Sequence, residues 1–118
     1  MADGNLPPLT PAGYQVLLAL ASGTTHGYAI MRFVDEATGG EVRLGPGTLY
    51  RTIARLAADG LVEETSRDTD GATDARRRDY RLTRLGRAAA RRESALLAGL
   101  VAIAAEAGLL PSEGRSIA

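Results

Sequence analysis

Read for the spacing of apolar positions, the chain divides into four helical stretches and one short extended pair. Tyr14, Val16, Leu17, Leu18 and Leu20 supply the apolar body of a first helix. Thr10 is placed to cap it, with Pro11 at its first position, and Ser22-Gly23 ends it. Gly23 to Thr25 reads as a turn. Tyr28, Ile30, Met31, Phe33 and Val34 then recur at helical spacing until Gly39-Gly40, which predicts a second helix ending near Thr38. Glu41 to Leu44 is brief and is expected to pair as a short strand. Gly45-Pro46-Gly47 opens a third helix, predicted from about Pro46 to Asp59 with Gly60 as its C-terminal cap.

Leu61, Val62 and Glu63 begin an extended segment that reaches Arg67, and a second strand runs through Arg78, Tyr80 and Leu82, alternating with charged Asp79 and Arg81. Between them Asp68 to Ala75 is rich in Asp, Gly and Thr, the composition of a flexible hairpin tip. Thr83 caps a long last helix whose first half carries Arg84, Arg87, Arg91 and Arg92 and whose second half carries Leu96, Leu97, Leu100, Val101 and Ile103. This helix is expected to fray after Gly108. The expected fold class is mainly α with a small β-hairpin (α+β). Its expected divisions are a loose arm over residues 1–8, a helical and hairpin unit over 9–82, a C-terminal helix over 83–108 and a flexible tail over 109–118.

Length and composition narrow the class. A chain of 118 residues builds one core. With 45% hydrophobic and 24% charged residues it matches ordinary globular domains rather than disordered or collagen-like chains. No apolar run approaches the roughly 18–20 residues of a bilayer span, and no basic segment followed by an apolar run stands at the N-terminus, so a cytoplasmic protein with no membrane partner is expected. The absence of cysteine removes disulfides, thiol nucleophiles and thiolate metal sites.

Formal net charge is zero, yet the charge is segregated. Arg43 to Arg92 holds twelve arginines against seven acids, net +5, and the remainder holds two against seven, net −5. Every basic residue is arginine, whose planar fork suits phosphates and guanine edges. On the third helix, at about 100° per residue, Leu49, Ile53 and Leu56 form one stripe, and Thr48, Arg51 and Arg55 lie opposite with Ala54 and Ala58 beside them. Such a face fits a major groove closely, although it equally describes a solvated helix surface. Arg76, Arg77 and Arg78 cluster at the start of the second strand. They suit phosphate or minor-groove contact, or pairing with Asp68, Asp70, Asp74 and Asp79 in the free protein.

His26 is the single histidine, and its place in a turn reads as capping or packing. No carboxylate pair, metal-ligand spacing, nucleophile elbow or phosphate loop accompanies it, so neither enzyme activity, a metal nor a cofactor is indicated.

Taken together, His26-Gly27-Tyr28, Gly45-Pro46-Gly47-Thr48-Leu49-Tyr50-Arg51, Arg55-Leu56-Ala57-Ala58-Asp59-Gly60-Leu61-Val62 and Arg77-Arg78-Asp79-Tyr80-Arg81-Leu82-Thr83 resemble the PadR family of transcriptional regulators, in its short subclass with a single C-terminal helix. The resemblance spans roughly Leu9 to Arg92. It implies a winged helix-turn-helix homodimer that represses promoters by binding inverted repeats in double-stranded DNA, often in response to small-molecule effectors such as phenolic acids or drugs. Carried over by position, Tyr28, Thr48, Tyr50, Arg51 and Arg55 would approach DNA, and Arg76, Arg77 and Arg78 would form the wing. Some short members hold planar ligands between aromatic side chains of the terminal helices; this chain has no tryptophan and no aromatic residue in its last helix.

The last helix has an apolar face wider than one contact needs, with Leu96, Leu100, Ile103 and Ala107 in one stripe and Leu97, Val101 and Ala104 in the next. Self-association is the expected use, with folding back onto the first helix as the alternative. An effector pocket at the interface would involve Tyr14, Leu17, Leu97 and Val101. The rival functional class is a winged-helix protein–protein scaffold that binds no DNA.

Overall fold

The computed structural model describes residues 6–65 and 78–111. In chain order it has α1 (Pro11–Leu20), β1 (Thr25–His26), α2 (Gly27–Ala37), α3 (Pro46–Ala58), β2 (Val62–Thr65), β3 (Asp79–Leu82) and α4 (Arg84–Glu106). The strands form one antiparallel sheet in the order β1-β3-β2. The α+β class expected from the sequence is therefore the class observed.

Local chemistry accounts for most boundaries. The Thr10 hydroxyl accepts from the Gly13 amide at 2.9 Å and starts α1. The Thr83 hydroxyl does the same for Gly86 at 2.9 Å and starts α4. His26 Nδ1 accepts from the Ala29 amide at 3.2 Å, so the lone histidine caps α2, as its position in the sequence suggested. Gly60 takes φ 80° after α3, and the Leu61 amide reaches back to the Leu56 carbonyl at 2.9 Å, a Schellman closure. Gly108 and Leu109 repeat this closure on α4, with Leu109 donating to Ala104 at 2.9 Å.

Three expectations need correction. The third strand is Thr25–His26, read from the sequence as turn and cap, and not Glu41–Leu44. A two-residue strand has no periodicity; β1 exists because the free edge of β3 lies beside it, pairing Thr25 with Tyr80 and His26 with Asp79. Residues 41–44 stay irregular, held by Thr38, whose hydroxyl donates to the Val34 carbonyl at 2.8 Å and accepts from the Val42 amide at 2.9 Å. Leu6, assigned to the loose arm, is 8% exposed and joins the core, because one large apolar side chain gains by burial even in a polar, proline-containing stretch.

The core gathers Val16, Leu17 and Leu20 of α1, Ile30 of α2, Leu49, Ile53 and Leu56 of α3, then Leu61, Val62, Tyr80 and Ala89. Two glycines permit the closest approaches. A Cβ on Gly27 would overlap the Tyr50 hydroxyl and lie 2.9 Å from its Cζ. One on Gly86 would overlap the Leu61 carbonyl oxygen and lie 2.9 Å from its carbon. The second contact fastens the start of α4 to the end of α3, and the Thr83 hydroxyl reinforces it by donating to the Gly60 carbonyl at 2.7 Å.

Candidate nucleic-acid interface

Helix α3 is docked by Leu49, Ile53 and Leu56, which are buried as the apolar stripe predicts. Docking this stripe leaves Thr48, Arg51, Ala54, Arg55 and Ala58 exposed. Arg51 reaches toward the Thr48 hydroxyl, 3.5 Å from its Nη2. Arg55 lies 3.7 Å from Asp59, one turn on, with its side chain 79% exposed. An ion pair this open costs little to break, so the guanidinium remains available to a stronger anion.

The exposed face of α3 is flanked by two depressions. One, of about 270 Å³, is lined by Pro8, Leu9, Thr10, Gly13, Thr52, Leu56 and Asp59 together with Arg51 and Arg55. The other, of about 210 Å³, lies between α3 and the sheet and brings Tyr50, Ile53, Ala54 and Ala57 against Glu64, Arg78 and Tyr80. Arg78, immediately before β3, is exposed and pairs with Glu64 of β2, Nε to Oε2 at 3.1 Å. On the outer face Arg81 pairs with Glu63, its cross-strand neighbour. Burial raises the Tyr80 hydroxyl pKa above its ordinary value; the nearby Glu64 charge and Tyr50 add to this, and Arg78 partly opposes it.

The remaining candidates are placed less uniformly. Tyr28 is 62% exposed in the first turn of α2, but it borders a separate hollow with Met31, Arg32, Asp35, Arg43 and Leu44. Tyr50 is half-buried and packs against the core with its hydroxyl at Gly27. Arg76, Arg77 and the hairpin tip lie outside the described residues. Sequence reasoning did not find Glu64 as the partner of Arg78; only the register Glu64↔Tyr80 brings the two onto one face of the sheet. Asp59 could have been found, since it stands four residues after Arg55 on the same helix.

Helix α4 buries only Gly86 and Ala89. Leu96, Leu100, Val101 and Ile103 are each more than half exposed, and Leu97 and Ala104 are half-buried. Beside them Leu9, Pro11, Tyr14, Gln15, Glu93 and Leu97 line a concavity of about 360 Å³, where the Tyr14 hydroxyl lies 2.7 Å from Ser94 Oγ. Of the four residues named for an effector pocket, Tyr14 and Leu97 line this concavity together. Leu17 does not line it, being wholly buried in the core because it sits on the inner face of α1. Val101 lies further along α4, outside the lining.

No helix among the described residues is long and apolar enough to cross a membrane. Among them there is also no cluster of three or more His, Cys, Asp or Glu side chains that could hold a metal ion.

Comparison with known proteins agrees with this arrangement. Over 85 residues, 72% of its length, the chain is 41% identical to an uncharacterized 37.1 kDa protein in transposon TN4556 of Streptomyces fradiae, of which it covers 22%. It is 53% identical over 47 residues, 40% of its length, to a transcriptional regulator of Mycobacterium tuberculosis, of which it covers 41%. The chain therefore spans less than half the length of either relative it matches. Its fold resembles that of Bacillus subtilis PadR, solved in complex with operator DNA, with a TM-score of 0.60 and 22% identity over 72% of this chain and 47% of that one. Residues 16–92 match the sequence pattern of the transcriptional regulator PadR-like family. The chain belongs to that family, whose members are DNA-binding regulators of transcription and not enzymes.

Proposed function

We propose that this protein is a sequence-specific DNA-binding repressor acting as a homodimer on an inverted-repeat operator, in the cytoplasm at the nucleoid. The observation that carries the reading is α3, a helix held by three buried apolar residues whose free face presents Thr48, Arg51 and Arg55. Arginines on such a face can take guanine edges in a bidentate fork or clamp phosphates, and the flanking alanines allow close approach. Arg76, Arg77 and Arg78 would serve the wing, and Tyr28 and Tyr50 would support the approach of α2 and α3. The operator complex of Bacillus subtilis PadR, on a similar fold, supports this use of the architecture.

In this reading residues 9–82 form the DNA-binding unit and 83–108 the dimerisation helix, joined through Leu96, Leu97, Leu100, Val101, Ile103 and Ala104. Two such units related by a twofold axis would read two half-sites. The concavity between Tyr14 and Leu97 is the place for a small-molecule effector.

The test is a gel-shift titration against the DNA upstream of its own gene, with random competitor. Arg51→Ala or Arg55→Ala should each lower operator affinity by about 1–3 kcal/mol where the side chain reads a base. If both substitutions leave binding untouched, α3 is not the reading surface. If the unaltered chain binds neither this DNA nor random duplex at low salt, the protein is a winged-helix scaffold instead.

A further inference from the structure

We propose that Glu64 is a built-in competitor for the DNA phosphate that Arg78 takes up, so that the wing arginine is held neutralised until a duplex displaces its carboxylate. The inference rests on the DNA-binding reading above and adds to it a residue that restrains affinity.

Placement is the first support. Val62, Glu64, Arg78, Tyr80 and Leu82 alternate onto one face of the β2–β3 ribbon, since Glu64 lies opposite Tyr80 and Val62 opposite Leu82. The apolar end of that face packs into the core, and its open end carries Glu64 and Arg78 toward Ala54 and Ala57 of α3. A duplex seated on α3 would therefore run a backbone past this depression. The carboxylate already occupies the cation there. It engages Arg78 side-on, with Nε 3.1 Å from Oε2 and Nη1 3.4 Å from Oε1. That two-point geometry is the one a phosphate would also use.

Charge and exposure supply the second support. The side chains of Arg78 and Glu64 remain 51% and 44% exposed, so the pair is screened and weak enough for a polyanion to break. Breaking it leaves Glu64 beside the phosphate, and a solution cation must then neutralise the carboxylate. In counterion terms the wild-type exchange releases one cation from DNA and takes up another at Glu64, for no net release. With a neutral amide in place of the carboxylate, Arg78 acts as a full cation. Glu63 and Arg81 provide an internal control, because alternation sends them to the opposite face of the ribbon.

The experiment compares the full-length wild-type protein with Glu64→Gln, Glu63→Gln, Arg78→Ala and the Glu64→Gln/Arg78→Ala double variant, by fluorescence anisotropy on a random-sequence duplex between about 50 and about 200 mM salt. Glu64→Gln should bind more tightly, with a log affinity against log salt slope steeper by about 0.9 for each wing engaged. Its advantage should then shrink about 3.5-fold for each wing across that range. Glu63→Gln should match wild type, and Glu64→Gln should have no effect once Arg78 is gone. If wild type binds and Glu64→Gln leaves affinity and slope unchanged, or acts equally without Arg78, the competitor role is wrong while the DNA-binding reading stands. If wild type binds no duplex at low salt, both fall together.

Discussion

Replacing Gly86 by alanine should lower stability by about 1–3 kcal/mol, although alanine is the better helix former. In the first turn of α4 a Cβ at this position overlaps the Leu61 carbonyl oxygen and comes within 2.9 Å of the carbonyl carbon and 3.2 Å of Leu82 Cδ2. Ordinary carbon contacts lie at about 3.5–4.0 Å, so the backbones must part by at least about 0.6 Å. Leu61 is wholly buried, and its carbonyl accepts from the Thr83 amide at 3.1 Å, so the displacement disturbs the core and strains that hydrogen bond. Overpacking costs about 1–3 kcal/mol and a lost hydrogen bond about 1 kcal/mol. The helix preference of alanine returns up to about 1 kcal/mol. For a chain of this size the net loss corresponds to about 4–12 °C in the unfolding midpoint. Melting followed by circular dichroism, at dilute and matched protein concentration, measures it. Gly99→Ala is the control, because nothing lies within 4 Å of its Cβ within one chain, and it should raise the midpoint by about 4 °C. A Gly86→Ala midpoint within about 2 °C of wild type would refute the tight junction.

Two further outcomes test other parts of the molecule. Leu100→Glu places a charge amid the exposed apolar residues of α4 and should abolish self-association in analytical ultracentrifugation while leaving the far-ultraviolet helical signal intact; an unchanged association state would exclude this face as the dimer contact. The Tyr80 hydroxyl is held above its ordinary value of 10.0, mainly by burial, so the folded chain keeps a proton that the unfolded chain gives up. Its contribution is fully present below pH 10 and is lost as pH rises through the folded value. Urea unfolding at about pH 9 and about pH 11 should show that loss, and Tyr80→Phe should reduce it.

The helices were legible in the sequence because each carries both a period and a stop. Thr10 and Thr83 mark starts by accepting from orphan amides, Pro46 marks one by lacking an amide hydrogen, and Gly60 supplies the left-handed residue that ends α3. The exposed face of α3 was legible for the same reason, since three buried residues at helical spacing fix which side remains outside. What escaped depends on partners distant in the chain. Thr25–His26 is a strand only because β3 passes beside it, and Glu64 meets Arg78 only in one register of a hairpin whose tip separates them by 14 positions. Leu17 and Tyr14 lie three residues apart on α1, close enough to share a helix side; the packing of α1 sends Leu17 inward and leaves Tyr14 at Ser94.

The fastening of Gly86 and Thr83 onto Gly60 and Leu61 makes α4 a lever with no slack at its fulcrum. Its 23 residues extend about 35 Å, so a tilt of about 5° at the junction sweeps the far end through about 3 Å. Run in reverse, a small push on the outer half of α4 must either swing the end of α3 or be absorbed by bending the helix itself. In an assembly of two copies, the distance between the paired α3 helices would therefore be set by the angle at which two long rods cross, and a molecule wedged beside Tyr14 would change that distance without touching α3.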